Sequence, residues 1–214
     1  LSRDPMGICP LYWCKHGHYL YFASEVKAIF AANPAIPRAL DPVGIDQTFT
    51  FWSVVPPQSV FAGVSELEPG HIRTYVHATV QDIPLPTVDG TATQDRFHGS
   101  VQDAAIAVKE AIEKATCLRM LRADVPVGSY LSGGLDSSLV AALGQRYAHS
   151  HFKTFSLRFQ DSEYDETSYQ RLLVEQIGSE HHEIVVSRSD IANIFPEVIY
   201  HTERPVLRTA PAPL

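Results

Sequence analysis

Apolar residues Ala104, Val108, Ala111, Ile112, Ala115 and Leu118 recur at intervals of three and four. This spacing predicts one long amphipathic helix from Val101 to about Leu121. Beyond it, short apolar runs alternate with longer amphipathic ones. Strands are expected at 125–131, 154–159 and 182–186, and helices at 137–148, 166–177 and 189–200. Strand and helix in strict turn predict a parallel sheet with crossover helices. Three strands make a thin sheet, so the fold is expected to continue past Leu214.

The first eighty residues have another rhythm. Tyr19–Ala23 reads as a short apolar strand, and residues 25–30 suit a turn or two of helix. Pro34, Pro37 and Pro42 then punctuate the chain. Residues 59–75 read as extended, broken by the turn signal Glu68-Pro69-Gly70. The Pro-, Gly- and Thr-containing stretch 81–99 reads as a linker. The expected organisation is therefore 1–80, a linker at 81–99, and 100–214, an α/β chain with a β-rich first part.

Composition narrows the function classes. Of 214 residues, 45% are hydrophobic and 19% charged, an ordinary globular balance. A net charge of −7 repels polyanions, and Arg119 with Arg122 is the nearest approach to a basic cluster, so no nucleic-acid partner is expected. An anionic ligand would need local devices instead: backbone N–H groups, a helix end, a few basic side chains and Mg²⁺. Three cysteines, Cys9, Cys14 and Cys117, suit a reducing cytoplasm better than a disulfide framework. The loose Cys9/Cys14 spacing ahead of His16 and His18 has no second pair, and a strand pair explains it better than zinc. The uncharged stretch 47–65 is broken by Pro56-Pro57, so no membrane span is expected. The chain opens at Leu1 without a signal peptide, already inside a motif, which reads as a fragment.

The chemistry concentrates in Ser132-Gly133-Gly134-Leu135-Asp136-Ser137-Ser138, where the strand ending at Leu131 gives way to a helix. Open α/β sheets bind ligands at the carboxyl ends of their strands. Two glycines allow the backbone to approach closely. Successive N–H groups can then share one concavity with the positive end of the helix, and the hydroxyls of Ser132, Ser137 and Ser138 add donors. No lysine precedes the serine pair, so this is not the loop of a γ-phosphoryl transferase. The arrangement fits cleavage between α- and β-phosphates. Asp136 would repel bare pyrophosphate and is assigned to Mg²⁺, directly or through water. Helix capping alone could also explain a Ser-Gly-Gly turn. The full string at a strand–helix junction favours the pyrophosphate reading.

SGGLDSS is similar to the pyrophosphate loop of the N-type ATP pyrophosphatases. Preceded by Arg122-Ala123-Asp124-Val125-Pro126-Val127-Gly128-Ser129-Tyr130-Leu131, it resembles the glutamine-hydrolysing asparagine synthetases in particular. Upstream, Arg3-Asp4-Pro5-Met6-Gly7-Ile8-Cys9-Pro10-Leu11-Tyr12 resembles that family's "RDxxGxxPLYY". Phe22-Ala23-Ser24-Glu25-Val26-Lys27-Ala28 resembles "FASExKAL", and Leu67-Glu68-Pro69-Gly70-His71 resembles "LxPGH". The resemblance spans nearly the whole chain. It implies the β-rich C-terminal part of an Ntn-type glutaminase domain, then the first half of a parallel-sheet ATP pyrophosphatase domain. It also implies ATP, aspartate and glutamine or ammonia as partners, Mg²⁺ as cofactor, a cytoplasmic ligase of amino-acid biosynthesis and a β-aspartyl-AMP intermediate, and it admits a homodimer. Leu131 and the SGGLDSS loop would contact ATP. Leu157 would too, although a buried strand position explains it equally.

The resemblance is incomplete. The family's glutaminase nucleophile is an N-terminal cysteine, whereas this chain begins with Leu1. Cys9 stands where a basic residue is usual and is not that nucleophile. No catalytic residue is therefore assigned, and the segment alone is expected to be inactive. Asp165 and Glu166 read as helix-capping acids, and His181-His182 as a strand entry without metal. Glu203-Arg204-Pro205 stands where relatives have Asp-Glu-Pro, and the arginine puts an acidic role there in doubt. Rival readings are an adenylating ligase with another carboxylate acceptor, as in β-lactam synthetases, and a non-catalytic nucleotide-binding relative. Serine hydrolysis is disfavoured because Gly128-Ser129 lies in no G-x-S-x-G elbow.

Overall fold

The computed structural model describes residues 1–76, 79–86, 97–148, 152–159 and 167–213. These form two compact units, one of Leu1–Ala92 with Ile194–Ala212 and the other of Thr93–Asn193.

In the first unit, β1 (Tyr12–His16) is flanked antiparallel by β2 (Tyr19–Ala23) and β3 (Ser65–Glu66). β4 (His71–Val76) and β5 (Thr79–Pro84) form a separate antiparallel pair. β5 thus takes in the opening residues of the expected linker, and residues 87–96 of that stretch lie outside the described residues. The core gathers Cys14, Val26, Ile29, Phe30, Ile36 and Val64. Cys14 is an apolar packing residue here, and burial pushes its thiol pKa up.

Two helices stand on this unit. Helix α1 (Val26–Ala32) begins within the residues expected to be helical. Helix α2 (Pro42–Phe51) corrects the reading of Pro42 as a break. A proline at the first helical position loses no hydrogen bond, and the Asp41 carboxylate accepts from the Val43 and Gly44 amides at 2.8 and 3.0 Å. No helix among the described residues is long and apolar enough to cross a membrane.

Helix α1 is capped from far along the chain. Its own N-cap residue, Glu25, makes no side-chain cap. Instead the Glu203 carboxylate accepts from the Val26 and Lys27 amides at 2.6 and 2.5 Å. Glu203 holds a φ of 55°, a left-handed conformation uncommon outside glycine. The acid of Glu203-Arg204-Pro205 therefore serves packing within this unit. Glu203→Ala should destabilise it by about 0.5–2 kcal/mol. Hydrogen exchange would show this as faster exchange of the Val26 and Lys27 amides; unchanged rates would show that Glu203 does not cap the helix.

The second unit is α/β with a wholly parallel sheet. β6 (Ser129–Tyr130), β7 (Lys153–Phe159) and β8 (Glu180–Val186) lie in that order. Helices α3 (Val101–Leu121), α4 (Leu135–Tyr147), α5 (Thr167–Ile177) and α6 (Arg188–Thr202) alternate with them, and α6 ends in the first unit. Ser100 and Asp103 form a capping box on α3, and those hydrogen bonds hold the Asp103 carboxyl below its ordinary pKa. The expected strand at 125–131 contracts to two residues. Pro126 brings no N–H, Val125 stands in solvent, and pairing with β7 begins at Ser129 opposite Thr154. Gly128 tolerates no side chain, because a Cβ there would sit 2.8 Å from the Lys153 carbonyl oxygen. Leu131, Ala141 and Phe152 form the core, packed by Met120, Leu173, Val174 and Ile177. Asp165 and Glu166 lie outside the described residues.

Candidate functional site

The SGGLDSS segment lies where β6 ends, at the carboxyl edge of the parallel sheet. Leu131 anchors it. Its side chain is only 1% exposed, within the core. Its N–H donates to the Phe155 carbonyl at 2.8 Å, and its carbonyl accepts from the Ser156 hydroxyl at 2.6 Å. Both backbone groups are thus engaged by β7, which fixes where the turn starts.

The turn beyond Leu131 is tight. Gly133 has a φ of 89°, a conformation that a side chain would strain. The Ser132 N–H donates to the Ser137 hydroxyl at 3.2 Å, and the two hydroxyls lie 2.9 Å apart. The Gly134 N–H donates to the Ser132 hydroxyl at 3.3 Å, and the Ser137 hydroxyl donates to the Gly134 carbonyl at 3.1 Å. These two serine hydroxyls brace the turn from within.

Helix α4 then starts with Gly134 as N-cap and no side-chain cap. The first amides of a helix have no partner inside it. Those of Leu135, Asp136 and Ser137 therefore stand at the positive end of the helix dipole, beside a glycine turn open to solvent. Asp136 is exposed in the first turn. An exposed carboxylate at a helix start suits Mg²⁺, which retains most of its water and takes one or two carboxylates together with substrate phosphates. The same carboxylate also stabilises the helix start by about 0.3–1 kcal/mol. Ser138 is half-buried just behind.

Leu157 is half-buried on β7, and its backbone carbonyl is tied to the turn through one side chain. The link is Gln170 of α5, absent from the sequence-based site. Its Nε2 donates to the carbonyls of Ser132 and Leu157 at 3.3 and 3.5 Å. The sequence held a signal for it. Gln170 begins the stripe continued by Leu173, Val174 and Ile177, so it is a polar residue on a core-facing edge.

His181, at the start of β8, is not near a metal cluster among the described residues. Its Nδ1 lies 3.0 Å from the Thr154 hydroxyl, and burial holds its imidazole below its ordinary pKa.

A parallel α/β unit bearing a glycine–serine turn at a strand end succeeds an antiparallel unit in one chain. The asparagine synthase family model matches residues 107–214, just over half of the 214 residues, and the glutamine amidotransferase domain model matches residues 1–84. The chain belongs to the asparagine synthase family. It is 30% identical to glutamine-hydrolyzing asparagine synthetase 1 of Bacillus subtilis, over 100% of this chain and 33% of that protein. Against asparagine synthetase 3 of the same organism it is 27% identical, over 95% of this chain and 35% of the relative. The chain thus spans about a third of the length of these two relatives. Among solved structures, an NH3-dependent NAD synthetase from Campylobacter jejuni matches at a TM-score of 0.34 and 21% identity. That match covers 48% of this chain and 43% of the other, too slight a likeness to support a conclusion.

Proposed function

We propose that the protein containing this chain makes asparagine from aspartate at the expense of ATP, using ammonia from glutamine, and that SGGLDSS is its pyrophosphate-binding turn. The observation that carries this is the glycine-capped start of α4 at the carboxyl end of β6, braced by Ser132 and Ser137. In the reaction, an oxygen of the aspartate side-chain carboxylate attacks the α-phosphorus of ATP. The bond from that phosphorus to the α,β-bridging oxygen breaks, and pyrophosphate leaves. Ammonia then attacks the acyl carbon of β-aspartyl-AMP, loses a proton and displaces AMP.

This chain's part is electrostatic. Main-chain amides of the turn and of the first turn of α4 meet the charge that accumulates on departing pyrophosphate, a preorganised donor set that need not reorient during the reaction. Leu131, locked to β7, holds the turn in place. Leu157 borders the nucleotide, and Leu131 lies buried beneath the turn rather than against the ligand. Asp136 would hold Mg²⁺, which neutralises phosphate charge when bound. On this reading the first part, through the end of β5 at Pro84, belongs to the glutaminase, the rest of the stretch to residue 99 links the two parts, and 100–214 belong to the synthetase part.

Supplying the full-length protein with ATP, Mg²⁺, glutamine and one carboxylic acid at a time tests the proposal. Aspartate should give asparagine, AMP and pyrophosphate in equal amounts. Release of ADP and phosphate, or AMP formation only with another carboxylate, would overturn it. The isolated segment should release no glutamate from glutamine.

A further inference from the structure

The first unit encloses a cavity of about 380 Å³ between α1, residues 38–61 and the last turn of α6 with the residues that follow it. That volume falls within the roughly 300–1,000 Å³ of small-molecule sites. Phe30, Leu40, Val60, Phe61 and Ile199 give it an apolar wall. Phe30 and Phe61 meet edge to face with centroids 5.3 Å apart, which holds one side of that wall in place. Phe30 and Val60 are buried, whereas Leu40 is 62% exposed, so the cavity opens to solvent. The charges around it are unevenly answered. Glu203 lines the cavity, but its carboxylate is engaged by the Val26 and Lys27 amides. The Lys27 ammonium lies 3.1 Å from the Glu25 carboxylate. Arg38 and Arg204 also line the cavity; both are exposed, and neither has a carboxylate partner among the described residues. The Arg38 guanidinium lies 5.6 Å from the centroid of the Phe30 ring, against a wall residue. Arg204 is also the residue that stands where relatives have the second acid of Asp-Glu-Pro. In a chain of net charge −7, this cavity therefore carries two unanswered positive charges beside apolar surface.

We infer that this cavity is a binding site for an amphipathic organic anion, a carboxylate on an acyl or aryl body. The body packs against Phe30, Val60 and Phe61, and the head faces the rim that carries Arg38 and Arg204. The chemistry narrows the ligand from both sides. An uncharged apolar molecule would leave both guanidinium groups unanswered, and an organic cation would be repelled by them. A carboxylate takes two parallel hydrogen bonds from a single guanidinium fork, and such charge-assisted bonds are among the strong ones. The site is made by residues of the first unit alone and does not depend on the pyrophosphate-turn reading.

Calorimetric titration of the full-length protein with octanoate, octanol and octylammonium tests this, since the three share one tail and differ in the charge of the head. Octanoate should bind about 10-fold more tightly than octanol, the gain expected from one hydrogen bond to a charged group, and octylammonium more weakly than either. Two substitutions at exposed positions, where folding tolerates change, locate the site. Arg204→Glu supplies the charge found in relatives and should remove the advantage of octanoate while leaving octanol unaffected. Leu40→Trp narrows the opening and should weaken octanoate and octanol together. Equal binding of octanoate and octanol to the unaltered protein would overturn the inference. So would an advantage for octanoate that survives both Arg204→Glu and Arg38→Met, or octanoate binding that Leu40→Trp leaves unchanged, because the anion would then sit elsewhere. A full-length protein that binds none of the three would show the cavity closed by the rest of the protein, and would overturn it as well.

Discussion

Asp136→Asn in the full-length protein lowers the rate of aspartate-dependent pyrophosphate release by about 10²–10³-fold, the range for losing one preorganised electrostatic contact at a reacting centre. The exposed carboxylate stands in the first turn of α4, beside amides that no side chain caps. Replacing it with its neutral isostere keeps the shape of the turn and removes the carboxylate proposed to hold Mg²⁺. As a helix-start residue alone, Asp136 is worth only about 0.3–1 kcal/mol of stability. The two roles therefore separate in one experiment. A metal role predicts a large loss of rate, weaker dependence of nucleotide affinity on Mg²⁺ and an almost unchanged melting temperature. Wild-type turnover and Mg²⁺ dependence in this variant would strip Asp136 of any metal role.

Arg3→Met destabilises the first unit by about 3–5 kcal/mol, the usual cost of breaking a buried ion pair from one side. Arg3 is 7% exposed, and its Nη1 lies 2.8 Å from the Glu66 carboxylate. The same guanidinium donates to the carbonyls of Leu67, Cys9 and Gly7 at 2.5, 3.1 and 3.1 Å. Methionine fills much of the volume but leaves Glu66 charged and unpartnered and three carbonyls short of a donor. Adding Glu66→Leu to Arg3→Met should recover part of the loss, because the buried charge goes with it. Calorimetry of the single and double variants reads both effects. A single variant as stable as the parent, or a double variant no more stable than the single, would show that the pair does not hold this unit together.

How much the sequence disclosed depends on how local each cause is. The helix Val101–Leu121 was legible end to end, because its apolar spacing and the Ser100–Asp103 box are written in neighbouring residues. Tyr19–Ala23 was legible for the same reason. The turn at 132–138 was visible as a string, and the structure adds its internal bracing by Ser132 and Ser137. Pro42 misled because a proline opening a helix and a proline ending one look alike until Asp41 is seen capping. The strand at 125–131 was overdrawn because its pairing depends on where β7 begins. The functions of Glu203 and Gln170 depend on partners across the fold. Glu203 meets amides 177 and 176 positions away, and Gln170 meets a carbonyl 38 positions away. Arg3 was legible as part of a family string, but its burial and its partners were not. No periodicity records such contacts.

On the proposed function, the amides after Leu131 grip the triphosphate of ATP. A crystal structure of the full-length protein soaked in Mg-ATP tests it most directly. β- and γ-phosphate oxygens should lie within hydrogen-bond distance of amides in the segment 133–137, with the metal beside Asp136. A triphosphate lodged elsewhere, with that turn empty and Ser132 and Ser137 still paired to each other, would contradict it.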